Sequence, residues 1–266
     1  MAKIIEDKLG NIKVEYIDYS VNTKNKCDIR CTNSYEIRYY EKGSFLYLIE
    51  GKAYEIKENS LLFLGNNVFL ADKSTKEQKS SYYTLSFAEK DVSVDNKEVV
   101  TSFFDNNGGV MYYENLQHNW VADTFKNLND TETLSNDSQN KFLSFLLNLI
   151  DSVSALEKYK PETAGNTAVS NIISYVNDNL SSSLSLEFLA KEFYISKHHL
   201  NKVFRKTTGT TVGKFINHKR IVRAQNLIGN GYSASRAAIE SGFGDYSAFY
   251  RAYIKTLGHS PGEDKK

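Results

Sequence analysis

The last hundred residues contain, twice, a pattern that few folds can accommodate: a short amphipathic segment, a tight turn and a second amphipathic segment. In the first copy Ser185 precedes the segment 186–193, and Ser196 precedes the segment 197–206. Serine is a preferred helix N-cap because its hydroxyl accepts a hydrogen bond from a free amide of the first turn. The spacing therefore predicts two helices joined by a turn at Tyr194.

The second copy follows after one longer helical segment. Residues 233–241 predict a short helix, Gly242 opens a turn, and Asp245 can cap a helix over 246–257. The segment 211–228 predicts a linking helix between the copies. Its expected inward residues are Phe215, Ile216, Ile221, Ala224 and Leu227, and its expected basic residues are Lys214, Lys219, Arg220 and Arg223.

The second helix of each copy has the two faces that a DNA recognition helix needs. The apolar faces consist of Leu200, Val203 and Phe204 in the first copy and of Phe249 and Tyr253 in the second. The predicted outer residues are Lys197, His198, Asn201, Lys202 and Arg205, and then Tyr246, Ser247, Tyr250 and Arg251. In the major groove Asn can bond adenine, and Lys can reach guanine or a phosphate. From the residues alone, an ordinary amphipathic surface helix stays open as the alternative.

The net charge of +1 conceals an uneven distribution. Residues 165–266 contain 14 Lys/Arg and 7 Asp/Glu, whereas residues 1–164 contain 19 and 25. A basic C-terminal half beside an acidic N-terminal half favours contact with nucleic acid through the C-terminal half only.

The first third of the chain has a different periodicity. Short runs rich in Tyr, Phe, Leu and Ile alternate with turn residues such as Gly43, Gly51 and Gly65. The predicted strands cover residues 35–40, 45–49, 53–56, 61–64 and 82–87. Strands this short at this spacing predict a β-sandwich or β-barrel within residues 12–87.

Residues 138–159 predict a long helix with a broad apolar stripe. The stripe consists of Phe142, Phe145, Leu146, Leu149, Val153 and Leu156, broadened by Leu143, Leu147 and Ile150. Two interpretations stay open: packing on the sheet of the same chain, or pairing with a second subunit in a homodimer. The polar segment 158–167, which holds one of the two prolines, predicts a linker.

What the sequence lacks disfavours several classes of protein. No apolar run reaches the length of a membrane span and the N-terminus has no signal-peptide stretch, so we expect a cytoplasmic protein. Cys27 and Cys31 have no zinc-type spacing, which predicts unpaired thiols, with a redox switch as the alternative. No histidine precedes His118, so a histidine metal site is not expected in the N-terminal half.

Spaced matches to one family run through about eighty residues of the C-terminal half. They are Leu189-Ala190, Ser196, Leu200, Phe204, Gly209, Phe215, Arg220, Ala224, Leu227, Gly242-Phe243, Phe249, Arg251 and Gly258-His259-Ser260-Pro261. In these residues the chain resembles the AraC/XylS family of bacterial transcription regulators. The resemblance implies a seven-helix domain over 166–266, with two recognition helices in successive major grooves on one DNA face.

The resemblance also implies roles for single residues, promoter DNA as a partner, and RNA polymerase as a second one. The implied DNA contacts are Ser196, Lys197, His198, Asn201, Lys202 and Arg205 in the first unit and Tyr246, Ser247 and Arg251 in the second. Ser196 and Lys197 would lie near phosphate, and Arg220 is left between a structural role and a DNA contact. Ala234 and Ala237 stand where the family has isoleucines, which predicts a looser second unit. Tyr194 replaces a small turn residue.

The run 48–52, followed ten residues later by 61–64, resembles the cupin-type sensory domain often joined to this module. The resemblance implies a domain over 1–160 that encloses a small apolar ligand or docks a regulatory protein. Some relatives with divergent N-terminal domains control virulence genes and respond to fatty acids or to an anti-activator protein. The candidate partners of a fatty-acid carboxylate are Arg30, Arg38 and Lys42.

The expected fold class is α+β, a cupin-like barrel or sandwich with helices followed by an all-α double helix-turn-helix domain. The expected function is sequence-specific DNA binding by a transcription activator without a cofactor. One alternative is an interaction protein with a degenerate DNA module, which only the alanines at 234 and 237 support. The other is an enzyme on the barrel, but the chain lacks a histidine-rich site, a phosphate loop and a nucleophile motif.

Overall fold

Antiparallel strands build the N-terminal part of the chain, and helices build the rest. The computed structural model describes residues 3–9, 12–19, 29–74, 80–106, 108–114, 116, 119–130, 138–156, 158–159 and 167–264. Within these ranges the strands are β1 (Lys3–Leu9), β2 (Ile12–Tyr19), β3 (Ile29–Cys31), β4 (Tyr35–Lys42), β5 (Phe45–Ile49), β6 (Lys52–Ile56), β7 (Ser60–Leu64), β8 (Phe69–Asp72), β9 (Ser80–Phe87) and β10 (Val110–Tyr113). The helices are α1 (Val94–Asp105), α2 (Asn119–Asp130), α3 (Ser138–Ser154), α4 (Thr167–Asp178), α5 (Leu186–Glu192), α6 (Lys197–Thr208), α7 (Val212–Gly229), α8 (Ala234–Glu240) and α9 (Tyr246–Leu257).

The strands form two sheets, with the orders β1-β2-β9-β4-β7-β10 and β3-β8-β5-β6. Strand β7 shows how the layers stack, because successive side chains of a strand point to opposite faces. Leu61 and Phe63 belong to a core shared with α1, α2 and α3, whereas Leu62 and Leu64 belong to the core between the two sheets. The N-terminal part is therefore a sandwich with three helices on the outer face of its larger sheet.

The smaller sheet is covered on its inner face and over part of its outer face, where Leu46 and Glu55 stay exposed. Its inner face meets the larger sheet, and Leu48, Phe69 and Ala71 on its outer face pack against α4, α5, α6 and α7. The rings of Phe69 and Phe215 meet edge to face, with centroids 5.0 Å apart. The first helix-turn-helix unit thus shares a hydrophobic core with the β-sandwich, while the second has a core of its own.

The five predicted strands are all present, and the two-sheet sandwich agrees with the predicted fold class. The predicted helix over 138–159 is too long, because α3 ends at Ser154. Tyr159 instead packs its ring 5.2 Å from that of Tyr112 and donates its amide to the Tyr112 carbonyl at 2.9 Å. Helices α1 and α2 were not predicted.

The apolar stripe of α3 is buried inside the chain. Phe142, Phe145, Leu146, Leu149 and Val153 all lie in the core that α3 shares with the larger sheet. Packing on the chain's own sheet therefore accounts for the stripe, and only Leu156, beyond the helix, is exposed. The homodimer hypothesis loses the observation that motivated it.

Cys31 is a buried free thiol at the end of β3, and burial raises its pKa to about 12. A thiol in this state is a poor nucleophile, which disfavours the redox switch at this residue. Cys27 and the linker residues 160–166 lie outside the described residues. Among the helices that are described, none combines the length and apolar character that a membrane crossing requires.

The interior of the sandwich holds a charged cluster around Glu36. Arg38 donates to its carboxylate at 2.7 Å, and Arg30 donates two bonds at 2.6 and 2.7 Å. The Arg38 guanidinium also lies 5.4 Å from the ring centre of Tyr82. Two of the three candidate cations for a fatty-acid carboxylate are thus already paired, and the third, Lys42, is exposed at the end of β4.

Loss of the Glu36 charge is expected to destabilise the sandwich in a pH-dependent way. The two guanidiniums lower the pKa of Glu36 from 4.5 to about 2. A lowered folded-state pKa stabilises the fold above the unfolded pKa, and this stabilisation is lost as the pH falls towards 2. Glu36→Gln should therefore lower the free energy of unfolding by about 3–5 kcal/mol at neutral pH.

Urea unfolding of both proteins at a series of pH values measures this effect. The difference in the free energy of unfolding between wild type and Glu36→Gln should narrow steadily below about pH 4.5. Glu98→Gln, on the exposed surface of α1, should have the stability of the wild type at every pH. A difference that stays constant down to about pH 3 would contradict the assignment.

Candidate nucleic-acid interface

The first helix-turn-helix unit consists of α5, a tight turn and α6, and each helix begins at its predicted cap. The hydroxyl of Ser185 accepts a bond from the amide of Phe188 at 3.0 Å, and that of Ser196 accepts one from the amide of His199 at 3.2 Å. Each bond satisfies one free amide of a helix start. Helix α6 runs two residues further than predicted, because Gly209 ends it in the left-handed conformation.

The turn between α5 and α6 contains a strained aromatic residue. Tyr194 has a φ of 53°, a conformation that costs an L residue about 1–2 kcal/mol. Its side chain is 96% exposed, so the ring lies in solvent and does not distort the turn. The amide of Ile195 still closes the turn on the carbonyl of Ala190 at 3.0 Å.

Helix α6 presents the two faces that the sequence predicts. Leu200 and Phe204 are buried in the core shared with the β-sandwich, and Val203 is partly buried against it. The predicted contact residues Ser196, Lys197, His198, Lys202 and Arg205 are exposed. Lys197 pairs with Glu187 of α5 at 2.9 Å, but both side chains are exposed, so the pair is weak and can be exchanged for a phosphate contact.

Asn201 differs from the other predicted contact residues of α6. Its side chain is half-buried, and its Oδ1 accepts a bond from the amide of Val212 at 3.4 Å. The oxygen therefore helps to hold the first turn of α7. One lone pair of the oxygen and the amide nitrogen stay available, so Asn201 keeps the acceptor and donor that adenine recognition needs while its oxygen is already engaged once.

Two of the four basic residues of α7 point inward, contrary to the predicted basic face. Lys219 and Arg220 are buried, whereas Lys214 is exposed. Lys219 lies four residues after Phe215, hence on the same side of the helix, and this spacing is the sequence feature that could have revealed its burial. The helix is fixed by internal contacts on the side where we expected a basic surface.

Arg220 joins the two units. Its Nε donates to the carbonyl of Leu180 at 3.0 Å and its Nη2 to the carbonyl of Ser182 at 2.6 Å, both in the loop between α4 and α5. The guanidinium also lies 5.9 Å from the ring centre of Phe243 in the second unit. Arg220 therefore has a structural role, which decides the question left open by the resemblance.

Gly242 brings the turn of the second unit against the same loop. Its φ is 89°, and a Cβ on it would lie 2.5 Å from the oxygen of Leu180 and 2.9 Å from Nε of Arg220. No side chain fits at this position. The contact fixes how the second unit is oriented relative to the first.

The second unit has the predicted caps and faces. Ser233 caps α8, and the carboxylate of Asp245 accepts bonds from the amides of Ser247 at 3.3 Å and Ala248 at 2.7 Å to cap α9. Phe249 and Tyr253 are fully buried. The exposed residues of α9 include the predicted contacts Tyr246, Ser247 and Arg251.

The core of the second unit is small but closed. Ala237 is fully buried and Ala234 partly buried in the core that α8 shares with α7, so the small side chains are matched by a close approach of α8. The observation that suggested a degenerate module therefore has a packing explanation. Between residues 167 and 257 the structure has six α-helices, and residues 261–264 form a turn where the resemblance implies a seventh. The Tyr253 hydroxyl bonds to Asp264 and fastens this turn to α9.

Comparison with known proteins points to one class of protein. Residues 189–266 match a family model described as a helix-turn-helix domain. The HTH-type transcriptional activator AarP of Providencia stuartii is 30% identical over 97 residues, which are 36% of this chain and 72% of AarP. The uncharacterized HTH-type transcriptional regulator YfiF of Bacillus subtilis is 28% identical over 134 residues, half of this chain, and the match spans 42% of YfiF. Fatty-acid-bound wild-type ToxT from Vibrio cholerae is 18% identical, covers 96% of this chain and 94% of its own, and has a TM-score of 0.41.

Replacement of Gly242 is expected to disturb the contact between the two units and to destabilise the protein. Gly242→Ala should lower the free energy of unfolding by more than about 1 kcal/mol, because φ is positive and the methyl group would clash with the Leu180 carbonyl. Gly244→Ala is the matched control, since a Cβ there would meet nothing within 4 Å. Thermal and urea unfolding of both variants measures the difference. Equal stability of the two variants would show that the close approach does not constrain the second unit.

Proposed function

The chain belongs to the AraC/XylS family of DNA-binding transcription regulators, and on this premise we propose that it activates transcription by placing α6 and α9 in successive major grooves of promoter DNA. The proposed division is a regulatory part over residues 1–160 and a DNA-binding part over 166–266. As an activator the protein would act on RNA polymerase bound beside it.

The observation that carries the proposal is the outward face of the two helices. Helix α6 has four basic residues, Lys197, Lys202, Arg205 and Lys206, all exposed, and α9 adds Arg251 and Lys255. Neither helix contains an acidic residue. Exposed cations on two capped helices can contact phosphates, and their long side chains can reach base edges.

The two units are expected to contribute unequally. The first unit has more cations on its recognition helix, and its core is continuous with the β-sandwich. We propose Lys202 and Arg251 as base readers and His198, Tyr246 and Ser247 as supporting contacts. Asn201 is a third candidate base reader, and its oxygen also accepts a bond from the amide of Val212.

Single substitutions test this interface. Lys202→Ala and Arg251→Ala should each weaken binding to a selected DNA site by about 1–3 kcal/mol, because each removes a base or phosphate contact. Lys52→Ala is the matched control, an exposed lysine on the β-sandwich. Fluorescence anisotropy with a site selected from random duplexes gives the affinities. Unchanged affinity for both variants would contradict the assignment.

A second observation favours an effector site. A cleft of about 550 Å³ lies where β3, β8, α7 and α9 meet. Ile29, Phe69 and Phe215 give it an apolar wall, Lys214 and Lys255 give it cations, and Arg30, already paired with Glu36, also lines it. Of the three cations that the sequence singled out, only Arg30 lines this cleft. We propose that it accepts a small amphipathic anion such as a fatty acid, in preference to a regulatory protein.

Decanoate is a suitable probe of the cleft. It should raise the melting temperature of the wild type, and Lys255→Gln should weaken its binding by about tenfold through loss of a charged partner. Lys52→Gln should bind like the wild type. Isothermal titration that shows no binding, or equal binding by Lys255→Gln, would contradict this ligand class.

A further inference from the structure

The two-residue loop between β5 and β6 is strained. Glu50 and Gly51 have φ values of 46° and 77°, and Ile49 pairs with Lys52 across the loop. Positive φ at both central residues is the geometry of a type I′ turn, which favours Asn, Asp or Gly at the first position. A glutamate there is unfavourable, because in the left-handed conformation its Cβ lies too close to the following carbonyl oxygen. Strain that a fold retains in this way suggests a role for the side chain.

The carboxylate of Glu50 joins three elements. Its Oε1 accepts bonds from Nζ of Lys219 on α7 at 2.5 Å and from the amide of Phe69 on β8 at 2.5 Å. Its Oε2 accepts a bond from Nδ2 of Asn177 on α4 at 2.8 Å. One side chain of the β-sandwich therefore bridges the first helix and the linking helix of the DNA-binding part.

The surroundings keep this junction closed. Lys219 is 4% exposed on its side chain and also donates to the carbonyl of Asn67 at 2.5 Å. The Gly51 carbonyl accepts a bond from Ser170 of α4 at 2.9 Å, and a Cβ on Gly51 would lie 2.9 Å from Ile173. Apolar residues of equal volume often stabilise as well as a shielded ion pair, so stability alone does not explain why this pair is retained.

We propose that Glu50 is a positioning residue for DNA binding. Lys219 and Arg220 are neighbours on α7, and Arg220 bonds to the loop after α4. Glu50, through Lys219, therefore holds α4 and α7 in the same arrangement that Arg220 holds. The exposed faces of α6 and α9 stay uncovered in this closed junction. The closed state is therefore the one organised for DNA, and opening it lowers affinity. The inference rests on the proposed DNA-binding function.

The double variant Glu50→Gly with Lys219→Met separates positioning from stability. Glycine relieves the strain of the turn and methionine removes the buried charge, and both gains offset the lost acceptor of the Phe69 amide, so the melting temperature should fall by only a few degrees. Affinity for the selected site should fall about tenfold, because the units are no longer pre-organised. The penalty for one base pair inserted between the two half-sites should shrink, since a looser pair adapts to altered spacing. Glu55→Gln, an exposed residue on the same hairpin, is the control.

If the double variant binds DNA with the same affinity and the same spacing penalty as the wild type, the proposal is overturned. An affinity loss that parallels a loss of stability while the spacing penalty stays unchanged would also overturn it, because Glu50 would then be merely structural. Lys202→Ala and Arg251→Ala are measured alongside. If these two also bind normally, the DNA interface itself is misplaced, which distinguishes that failure from failure of the positioning role.

Discussion

The close approach of Gly242 to the carbonyl of Leu180 is the constraint on which the arrangement of the two units depends. Arg220 of the linking helix hydrogen-bonds to the same carbonyl. One backbone oxygen therefore contacts both the linking helix and the turn of the second unit. Two recognition helices can enter successive grooves only when their separation is fixed to within a fraction of a helical turn of DNA. A positive-φ glycine and a buried arginine contribute to this precision, together with the core that α7 shares with α8 and α9.

The β-sandwich of the N-terminal part is also fixed by packing contacts with the DNA-binding part. One face of its smaller sheet completes the sandwich, and part of the other face completes the core of the first unit. A change at the junction therefore reaches the first unit through shared packing and the second through α7. The cleft beside Arg30 and Lys255 lies on this route, and a ligand there would act on both units at once.

Local chemistry made much of the fold predictable. Ser185, Ser196 and Asp245 cap the helices that they were expected to cap, and the alternating Tyr, Phe and Leu runs form strands. Helix α1 was not predicted because it buries only Val100 and Phe104 and has no continuous stripe. Such a helix is defined by the sheet it covers, which no local pattern reveals.

The exposed residues of the candidate site were predictable from the sequence, whereas the contacts of the residues that bond to distant parts of the chain were not. Lys202 and Arg251 lie outward as helical spacing requires. Lys219 was expected outward because it is charged, and its burial is compensated by Glu50 and by the Asn67 carbonyl, both far away in the chain. Asn201 stays a predicted base reader, but that its oxygen also bonds to the next helix was not predicted. Both differences arise from tertiary partners distant in sequence or beyond a turn.

The central claim is that the two units bind DNA as one body of fixed geometry. Hydroxyl-radical footprinting of the wild type on its selected site tests this most directly. Two protected segments on one face of the duplex, about 10 base pairs apart, are the expected result. A single protected segment, or two segments whose separation varies from site to site, would contradict the account.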